Sequence, residues 1–261
     1  MALGLEIRCT VKASIADEWH IEHVGRFQPS PGEGDGVLSA ARRAVGDDRP
    51  LAIQVDAAIP IGKGLGSSAA AAVAGVAAAL RVLGGEPSHH HIYRLAVELD
   101  GHADNVAAAV YGGLTLVPAE GVPLRLPIHP ALQLVLAVPA RFLPTDKARR
   151  VIQNAHPQDR VLRSLARVAA LTAGLLTADP DLLGAAHGDE IHELPREHLS
   201  PEVSRLIEIG KQAGALHAAR SGAGPSVIAF CTAETRQPVL NAYTETGAEV
   251  LTPQLATTGL V

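Results

Sequence analysis

A glycine-and-serine segment directly before an alanine-rich run is the part of the sequence best suited to binding an anion. The segment reads PIGKGLGSSAAA, with glycines alternating from Gly62 to Gly66 and Ser67 and Ser68 after them. Glycines let the backbone approach a ligand closely. The first turn of a helix offers unpaired N–H groups and roughly half an elementary positive charge. A phosphate group suits this place, with Lys63 as a mobile positive charge and the serines as helix caps, phosphate donors or Mg²⁺ ligands.

This loop differs from the two most familiar nucleotide-binding loops. A Walker A loop needs Lys-Ser or Lys-Thr after its last glycine, and the third glycine here comes one residue too early for G-x-G-x-x-G. A P-loop ATPase and a Rossmann dehydrogenase are therefore poor fits. The alternative is an ordinary glycine-rich turn with a serine N-cap. Three alternate glycines favour the phosphate interpretation over that turn.

Hydrophobic periodicity places this loop between a strand and a helix. LAIQVDA, residues 51–57, predicts a strand that runs into the loop, and the helix after the loop is expected to end at Gly84-Gly85. A second helix is predicted after Pro87-Ser88. Near the start, LEIRCTVKA, residues 5–13, alternates apolar and polar residues and predicts a half-buried strand.

The rest of the chain mixes strands and helices without a regular βαβαβ alternation, which indicates an α+β protein. A turn, a short helix and a glycine stop are predicted for HADNVAAAVYGG. Further predictions are strands at LTLV, LQLVLAV and SVIAF, helices near residues 161–176 and 202–213, and a second glycine loop at SGAG. Clustered prolines suggest a boundary that divides the chain into domains 1–125 and 126–261.

Composition narrows the class of protein. The 261 residues are 47% hydrophobic but only 3% aromatic, so alanine, valine and leucine must fill the core. A net charge of -5 argues against a nucleic-acid partner. Cys9 and Cys231 are far apart, which makes a disulfide scaffold or a structural zinc site a poor interpretation. No secretion leader or membrane-spanning run is recognised, so we expect a soluble cytoplasmic protein with no membrane partner.

Five segments, in family order, resemble motifs of the GHMP kinase superfamily and, within it, of the homoserine kinases. PIGKGLGSSAAA resembles P-x-x-x-G-L-G-S-S-A-A, and ELDGHADNVAAAVYGGL resembles a segment written E-x-E-G-H-x-D-N-V-A-P. TDKAR matches T-x-x-A-R, HELPR resembles H-E-P-Y-R, and RSGAGPSVIAF resembles the third, glycine-rich motif. Together these segments span most of the chain.

The resemblance implies a fold and a reaction. The fold is the two-domain GHMP kinase architecture, with an N-terminal domain like domain 2 of ribosomal protein S5 and a ferredoxin-like C-terminal domain. The reaction moves the γ-phosphoryl group of ATP to the side-chain hydroxyl of L-homoserine, with Mg²⁺, in threonine biosynthesis. Members commonly form homodimers, although no residue here demonstrates an interface.

The resemblance also implies residue roles for ATP and Mg²⁺. The expected ATP-binding residues are Pro60, Gly62, Lys63, Gly64, Leu65, Gly66, Ser67 and Ser68. Glu98 matches the family's Mg²⁺ glutamate, with Ser67 or Ser68 as a further ligand, since Mg²⁺ takes few protein oxygens beside phosphate and water. Without the resemblance, Glu98 would be interpreted as a solvated helix residue.

The resemblance implies a second set of residues, which bind the amino-acid substrate. Arg149 and Arg196 match family arginines that bind its carboxylate, a task suited to the planar guanidinium group. Asn105 matches the residue that contacts the reacting hydroxyl, with His102 and Asp104 beside it and Thr145 nearby. No general base is assigned. From the residues alone, the arginines are surface residues, Asp104 is a helix N-cap and His102 is a turn residue.

One family motif has no counterpart here. The first motif, P-x-[ST]-[ST]-A-N-L-G-P-G-F-D, is absent. The first residues of the chain resemble the segment that normally follows this motif. Two expectations compete. The start is placed too late in a longer enzyme, or the chain is a truncated, non-catalytic nucleotide-binding remnant. Another GHMP kinase, acting on a mevalonate-type or methylerythritol-type alcohol, is the remaining alternative.

Overall fold

The computed structural model describes residues 1–29, 34–118 and 122–261. The chain divides into two compact units that are not continuous in sequence. The first unit comprises Met1–Ile61, Gly66–Leu126 and Leu255–Val261, and the second comprises Gly62–Leu65 and Pro127–Gln254. The domain prediction 1–125 and 126–261 differs from these units at residue 126 and in two short segments, residues 62–65 and 255–261.

The described residues of the first unit form two three-stranded sheets and four helices. Its elements are β1 (Ala2–Leu3), β2 (Cys9–Ile15), β3 (His20–His23), α1 (Gly36–Val45), β4 (Leu51–Ala57), α2 (Ser67–Val82), α3 (His89–Asp100), α4 (Ala103–Tyr111), β5 (Leu114–Leu116) and β6 (Leu124–Leu126). The sheet orders are β2-β4-β3 and β1-β5-β6. β4 is antiparallel to β2 and parallel to β3.

The core of the first unit explains why small residues dominate α2. Leu51, Ile53 and Val55 on alternate positions of β4 are buried in one cluster with side chains of α1 and α2. At Gly75 of α2, an added Cβ would overlap the carbonyl oxygen of Val37 on α1. The two helices therefore approach so closely that only glycine fits at their crossing.

The second unit contains one four-stranded sheet with helices between its strands. Its elements are β7 (Gln133–Val138), α5 (Thr145–Arg150), α6 (Gln158–Thr177), α7 (Pro180–Ala185), α8 (Glu193–Arg196), a 3₁₀ turn (Glu197–Leu199), α9 (Glu202–Gln212), β8 (His217–Arg220), β9 (Val227–Cys231), α10 (Ala233–Thr244) and β10 (Glu249–Leu251). The order β10-β7-β9-β8 is antiparallel throughout. This is the ferredoxin-like arrangement of strands, and the α+β prediction is confirmed.

Most predicted elements are present, and the exceptions have local causes. β4 occupies residues 51–57 as predicted, and α2 ends at Val82, just before the glycine pair. The first predicted strand begins later, at Cys9, while Leu5 makes only an isolated bridge with Leu255. α10, which contains Pro238, had no prediction, and neither had the short elements β1, β3, β6, α5, α7, α8, β8 and β10. Throughout the described residues, no helix combines the length and the apolar character that a membrane crossing requires.

Candidate functional site

The first glycine loop, residues 62–66, has a backbone that only glycine adopts easily. Gly62, Gly64 and Gly66 have φ angles of 67°, 74° and 75°. This left-handed region is costly for residues with a Cβ. The alternation of glycines in the sequence is therefore a conformational requirement of this loop. Of the other predicted residues of this segment, Pro60 is buried and Leu65 is half-buried.

The loop leads directly into α2 without a side-chain cap. Gly66 is the N-cap residue, and the first ladder bond runs from the Ala70 N–H to the Gly66 carbonyl at 3.0 Å. Ser67 and Ser68 are therefore the first two helical residues, and the alternative in which one of them caps the helix is wrong. The left-handed Gly66 takes the cap position instead. The N–H groups of the first turn precede the ladder, as an anion-binding helix start requires.

Lys63 is held by backbone carbonyl groups rather than being mobile. Its Nζ atom donates to the carbonyl oxygens of Pro139, Ala140 and Arg141 at 2.9, 2.6 and 2.6 Å. An ammonium group has three N–H donors, and each has a partner here. Burial lowers the pKa of Lys63. The expected mobile charge is thus a fixed one, and the role of Lys63 in ATP binding stays a prediction.

The second glycine loop, residues 221–224, supports the first. The Ser221 hydroxyl donates to the Gly64 carbonyl at 2.9 Å, and the Ser226 N–H donates to the Lys63 carbonyl at 3.3 Å. A Cβ added at Gly64 would overlap the Ser221 carbonyl oxygen and lie 2.7 Å from the Gly224 nitrogen. Sequence reasoning missed Ser221 and Ser226 as supports of the loop. The glycine-rich segment SGAGPS was the sequence signal that could have identified these two residues.

The segment from Glu98 to Asn105 belongs to the first unit. Glu98 is exposed on α3. His102 occupies the N-cap position of α4, and its Nδ1 lies 2.9 Å from Oδ2 of Asp100, whose side chain is 1% exposed. Asp104 lies in the first turn of α4 and accepts the Asn105 N–H at 3.0 Å. The expected N-cap role of Asp104 is therefore wrong, because His102 precedes it in that position.

The oxygens expected to bind Mg²⁺ fit that ion chemically. Ser67 and Ser68 lie in the first turn of α2, and Glu98 lies on α3, which packs against α2. Among the described residues, these three side chains make no hydrogen bond or ion pair that would occupy their oxygens. Hydroxyl and carboxylate oxygens are the ligands that Mg²⁺ prefers.

The predicted carboxylate-binding arginines come together in the second unit. Arg196 is only 7% exposed, and its Nε donates to the Ala148 carbonyl at 2.9 Å, directly beside Arg149 on α5. Its Nη1 donates to the Gly222 carbonyl at 3.3 Å. Burial, and then the nearby Arg149 charge, lower the pKa of Arg196. The Arg196 guanidinium, with the positive charge of Arg149 near enough to lower its pKa, suits a carboxylate. Thr145 and Arg149 are both exposed on α5.

A buried polar cluster that sequence reasoning missed lies beside this pair. Arg220 is 8% exposed and donates from Nη1 to the Ser200 hydroxyl at 2.6 Å. Its backbone N–H donates to the Glu193 carboxylate at 2.8 Å. Burial raises the pKa of Glu193 and lowers that of Arg220. These contacts fix the end of β8, from which the second glycine loop continues.

The predicted site residues therefore form two groups, each described within its own unit. The first unit holds Pro60, Gly66, Ser67, Ser68, Glu98, His102, Asp104 and Asn105, and the second holds Gly62, Lys63, Gly64, Leu65, Thr145, Arg149 and Arg196. Within the second unit, the first glycine loop and Arg196 share a neighbour, because both contact the second glycine loop.

Comparison with known proteins gives concordant results. Residues 35–113 match the family model for the GHMP kinases N-terminal domain, and residues 169–249 match the model for the GHMP kinases C-terminal domain. A homoserine kinase of Thermus thermophilus is 40% identical over 93% of this chain and 84% of its own length. The crystal structure of a homoserine kinase from Cytophaga hutchinsonii superposes with a TM-score of 0.80 and 28% identity, over 95% of this chain and 86% of that one.

A more distant likeness concerns the fold alone. The structure of L. major mevalonate kinase in complex with R-mevalonate superposes with a TM-score of 0.75 over 97% of this chain and 89% of that one. Its identity is 16%.

Proposed function

The chain belongs to the GHMP kinase family, and on that premise we propose that it is a homoserine kinase. It transfers the γ-phosphoryl group of ATP to the side-chain hydroxyl of L-homoserine and gives O-phospho-L-homoserine and ADP. The relatives at 35–40% identity over more than nine-tenths of this chain carry that name. The proposal places the protein in the cytoplasm and in threonine biosynthesis, as a homodimer, without nucleic-acid or membrane partners.

One observation supports the proposal most directly: the left-handed glycine loop that opens α2 without a side-chain cap. Phosphoryl transfer needs positioned donors and charge neutralisation more than covalent help from the protein. In this proposal the amides from Gly64 to Ser68 hold the phosphates of ATP. Ser67, Ser68 and Glu98 would hold Mg²⁺. That ion, when bound, would supply positive charge that neutralises the phosphates of ATP.

The amino-acid substrate occupies the second set of predicted residues. Arg149 and Arg196 bind its carboxylate through bidentate hydrogen bonds. Asn105 orients the hydroxyl that attacks the γ-phosphorus, with His102 and Asp104 beside it, and Thr145 adds a hydrogen bond. As the new O–P bond forms, the bond from the γ-phosphorus to the ADP oxygen breaks. The proton of that hydroxyl passes to water, since no residue is assigned as a general base.

The test is an acceptor panel assayed by phosphorus NMR and by coupled ADP release. We expect turnover with L-homoserine and ATP, and kcat/KM at least about a hundredfold lower with mevalonate or a methylerythritol-type alcohol. The methylerythritol-type alcohol has no carboxylate for the two arginines to bind. Mevalonate has one, but it lies one carbon further from the primary hydroxyl, and mevalonate lacks the α-ammonium group of homoserine. Turnover on another alcohol but not on homoserine would refute the substrate assignment. Calorimetry that detects ATP binding without turnover on any acceptor would identify a non-catalytic nucleotide-binding protein.

A further inference from the structure

We propose that Lys63 is a positioning residue that fixes the first glycine loop in its phosphate-binding conformation through three backbone carbonyls. This inference rests on the proposed function, because it assigns to Lys63 a role in presenting that loop to ATP. It replaces a direct contact between this lysine and phosphate.

The geometry accounts for every proton of the ammonium group. The three acceptors are the consecutive carbonyls of residues 139–141, between 2.6 and 2.9 Å from Nζ. Hydrogen bonds from a charged donor are among the stronger ones. An ammonium group with three partners has no proton left for a phosphate oxygen.

The three carbonyls come directly after a rigid element. β7 lies between β10 and β9 in the sheet, and Leu134 to Val138 are all at most 4% exposed. Residues 139–141 continue directly from this strand. The anchor point of Lys63 is therefore fixed to the core of the second unit.

The backbone that follows the Lys63 Cα is held as well, and this sets the direction of the loop amides. The Lys63 and Gly64 carbonyls accept from Ser226 and Ser221. In a trans peptide the C=O and the following N–H point in opposite directions. The N–H groups of Gly64 and Leu65 therefore point away from the second glycine loop. A loop with three glycines has large conformational freedom, and these bonds together remove it.

The experiment compares Lys63→Met with Lys211→Met. Lys211 is an exposed lysine whose Nζ, among the residues that the structure describes, contacts only the Glu208 carboxylate, at 2.7 Å, so its loss controls for removing one lysine charge. Hydrogen–deuterium exchange is measured on a peptide that covers residues 60–66, without nucleotide. KM is then measured separately for ATP and for homoserine. Lys63→Arg, which keeps the charge but not the tetrahedral donor geometry, is measured in parallel.

We expect faster exchange in the loop peptide of Lys63→Met and a KM for ATP that rises about tenfold, while the KM for homoserine stays within about twofold. Lys211→Met should match the wild type in all three measurements. A Lys63→Cys variant treated with bromoethylamine regains an ammonium group at the same chain length. It should recover most of the affinity for ATP when compared with wild type treated identically. Lys63→Arg should fall between wild type and Lys63→Met.

The inference would be overturned by unchanged loop exchange in Lys63→Met, by an equal rise of both KM values, or by a lack of rescue on aminoethylation. Faster exchange with an unchanged KM for ATP would also refute it and would count against the loop as the phosphate site. If the wild type shows no turnover on any acceptor, the proposed function fails. Loop exchange and calorimetric binding of an ATP analogue then still decide the role of Lys63.

Discussion

The two glycine loops have similar compositions, but they differ in whether their backbone N–H groups have hydrogen-bond partners within the protein. The first, residues 62–66, has three left-handed glycines and opens a helix of 16 residues. The second, residues 221–224, has two, Gly222 and Gly224, and leads into β9. In the second loop the polar groups point inward: Ser221 N–H donates to the Ser226 carbonyl and Gly224 N–H to the Ser221 carbonyl, each at 2.8 Å.

This difference teaches that glycine content alone does not identify an anion site. The element into which a loop leads decides whether the loop's amides have partners in the protein. The first turn of a helix leaves its N–H groups outside the ladder, whereas a strand pairs them with its neighbours. The second loop is thus a support, and the first presents donors. Substitutions in and around the two loops test this assignment.

The largest effect is expected at Gly64. Gly64→Ala would force a Cβ into the Ser221 backbone and strain the left-handed φ, so we expect a loss of about 3 kcal/mol in unfolding free energy and about a hundredfold in kcat/KM for ATP. Gly66→Ala is the matched control, since no atom of the described part of the chain lies within 4 Å of its added Cβ. It should cost about 1–2 kcal/mol, from φ alone. Urea denaturation and initial rates measure both, and equal losses would contradict the close-contact explanation.

The strand that precedes the second loop should make stability depend on pH. His217 of β8 is 2% exposed, and burial, together with the neighbouring His187, lowers its pKa to about 4 from 6.5. The unfolded chain therefore binds the proton first, and stability falls as pH decreases from about 6.5 to about 4, by on the order of 3 kcal/mol in full. Above about pH 6.5, His217 makes its full contribution to the unfolding free energy.

Urea denaturation of wild type and His217→Asn at several pH values checks this. The asparagine amide can replace the Nδ1 contact with the Leu183 carbonyl, 3.1 Å away, and it does not titrate. The wild type should lose more stability than the variant between pH 6.5 and 4. Parallel curves would mean that His217 is not held neutral by burial.

The next largest effect is expected for the predicted carboxylate-binding pair, Arg149 and Arg196, of which Arg196 contacts the second glycine loop. Arg196→Met removes a buried cation that bonds to the Gly222 carbonyl, so we expect about 2 kcal/mol less stability and a KM for homoserine raised about thirtyfold. Arg149→Met removes an exposed group and should raise that KM about tenfold with stability unchanged within about 0.5 kcal/mol. Equal stability losses in the two variants would show that burial does not distinguish them.

The smallest expected effect tests whether the second glycine loop supports the first. Ser221→Ala removes the hydroxyl bond to the Gly64 carbonyl and should cost about 1 kcal/mol and raise the KM for ATP about threefold. Ser226→Ala is its control, because the Ser226 hydroxyl has no hydrogen-bond partner among the described residues and its backbone N–H is retained. A similar rise of KM in both variants would refute the Ser221 contact as the cause.

Local sequence signals predicted much of the fold. The alternate apolar residues of LAIQVDA gave β4 at its observed bounds, and the glycine pairs after α2 and α4 marked where those helices end. These signals work because they depend on neighbouring residues and on the fixed periods of strands and helices. α10 was missed for the same reason. Pro238 interrupts the local helical pattern, and the surrounding core nevertheless keeps the segment helical.

By itself, the sequence determined the backbone of the first glycine loop, because only glycine adopts three left-handed conformations in five residues at little cost. It could not determine the partners of the charged side chains. Lys63 meets its carbonyls 76–78 residues further along the chain, and Arg196 meets Ala148 48 residues before it. A charged residue is exposed unless a distant segment supplies its hydrogen bonds. Only the tertiary structure brought those segments together.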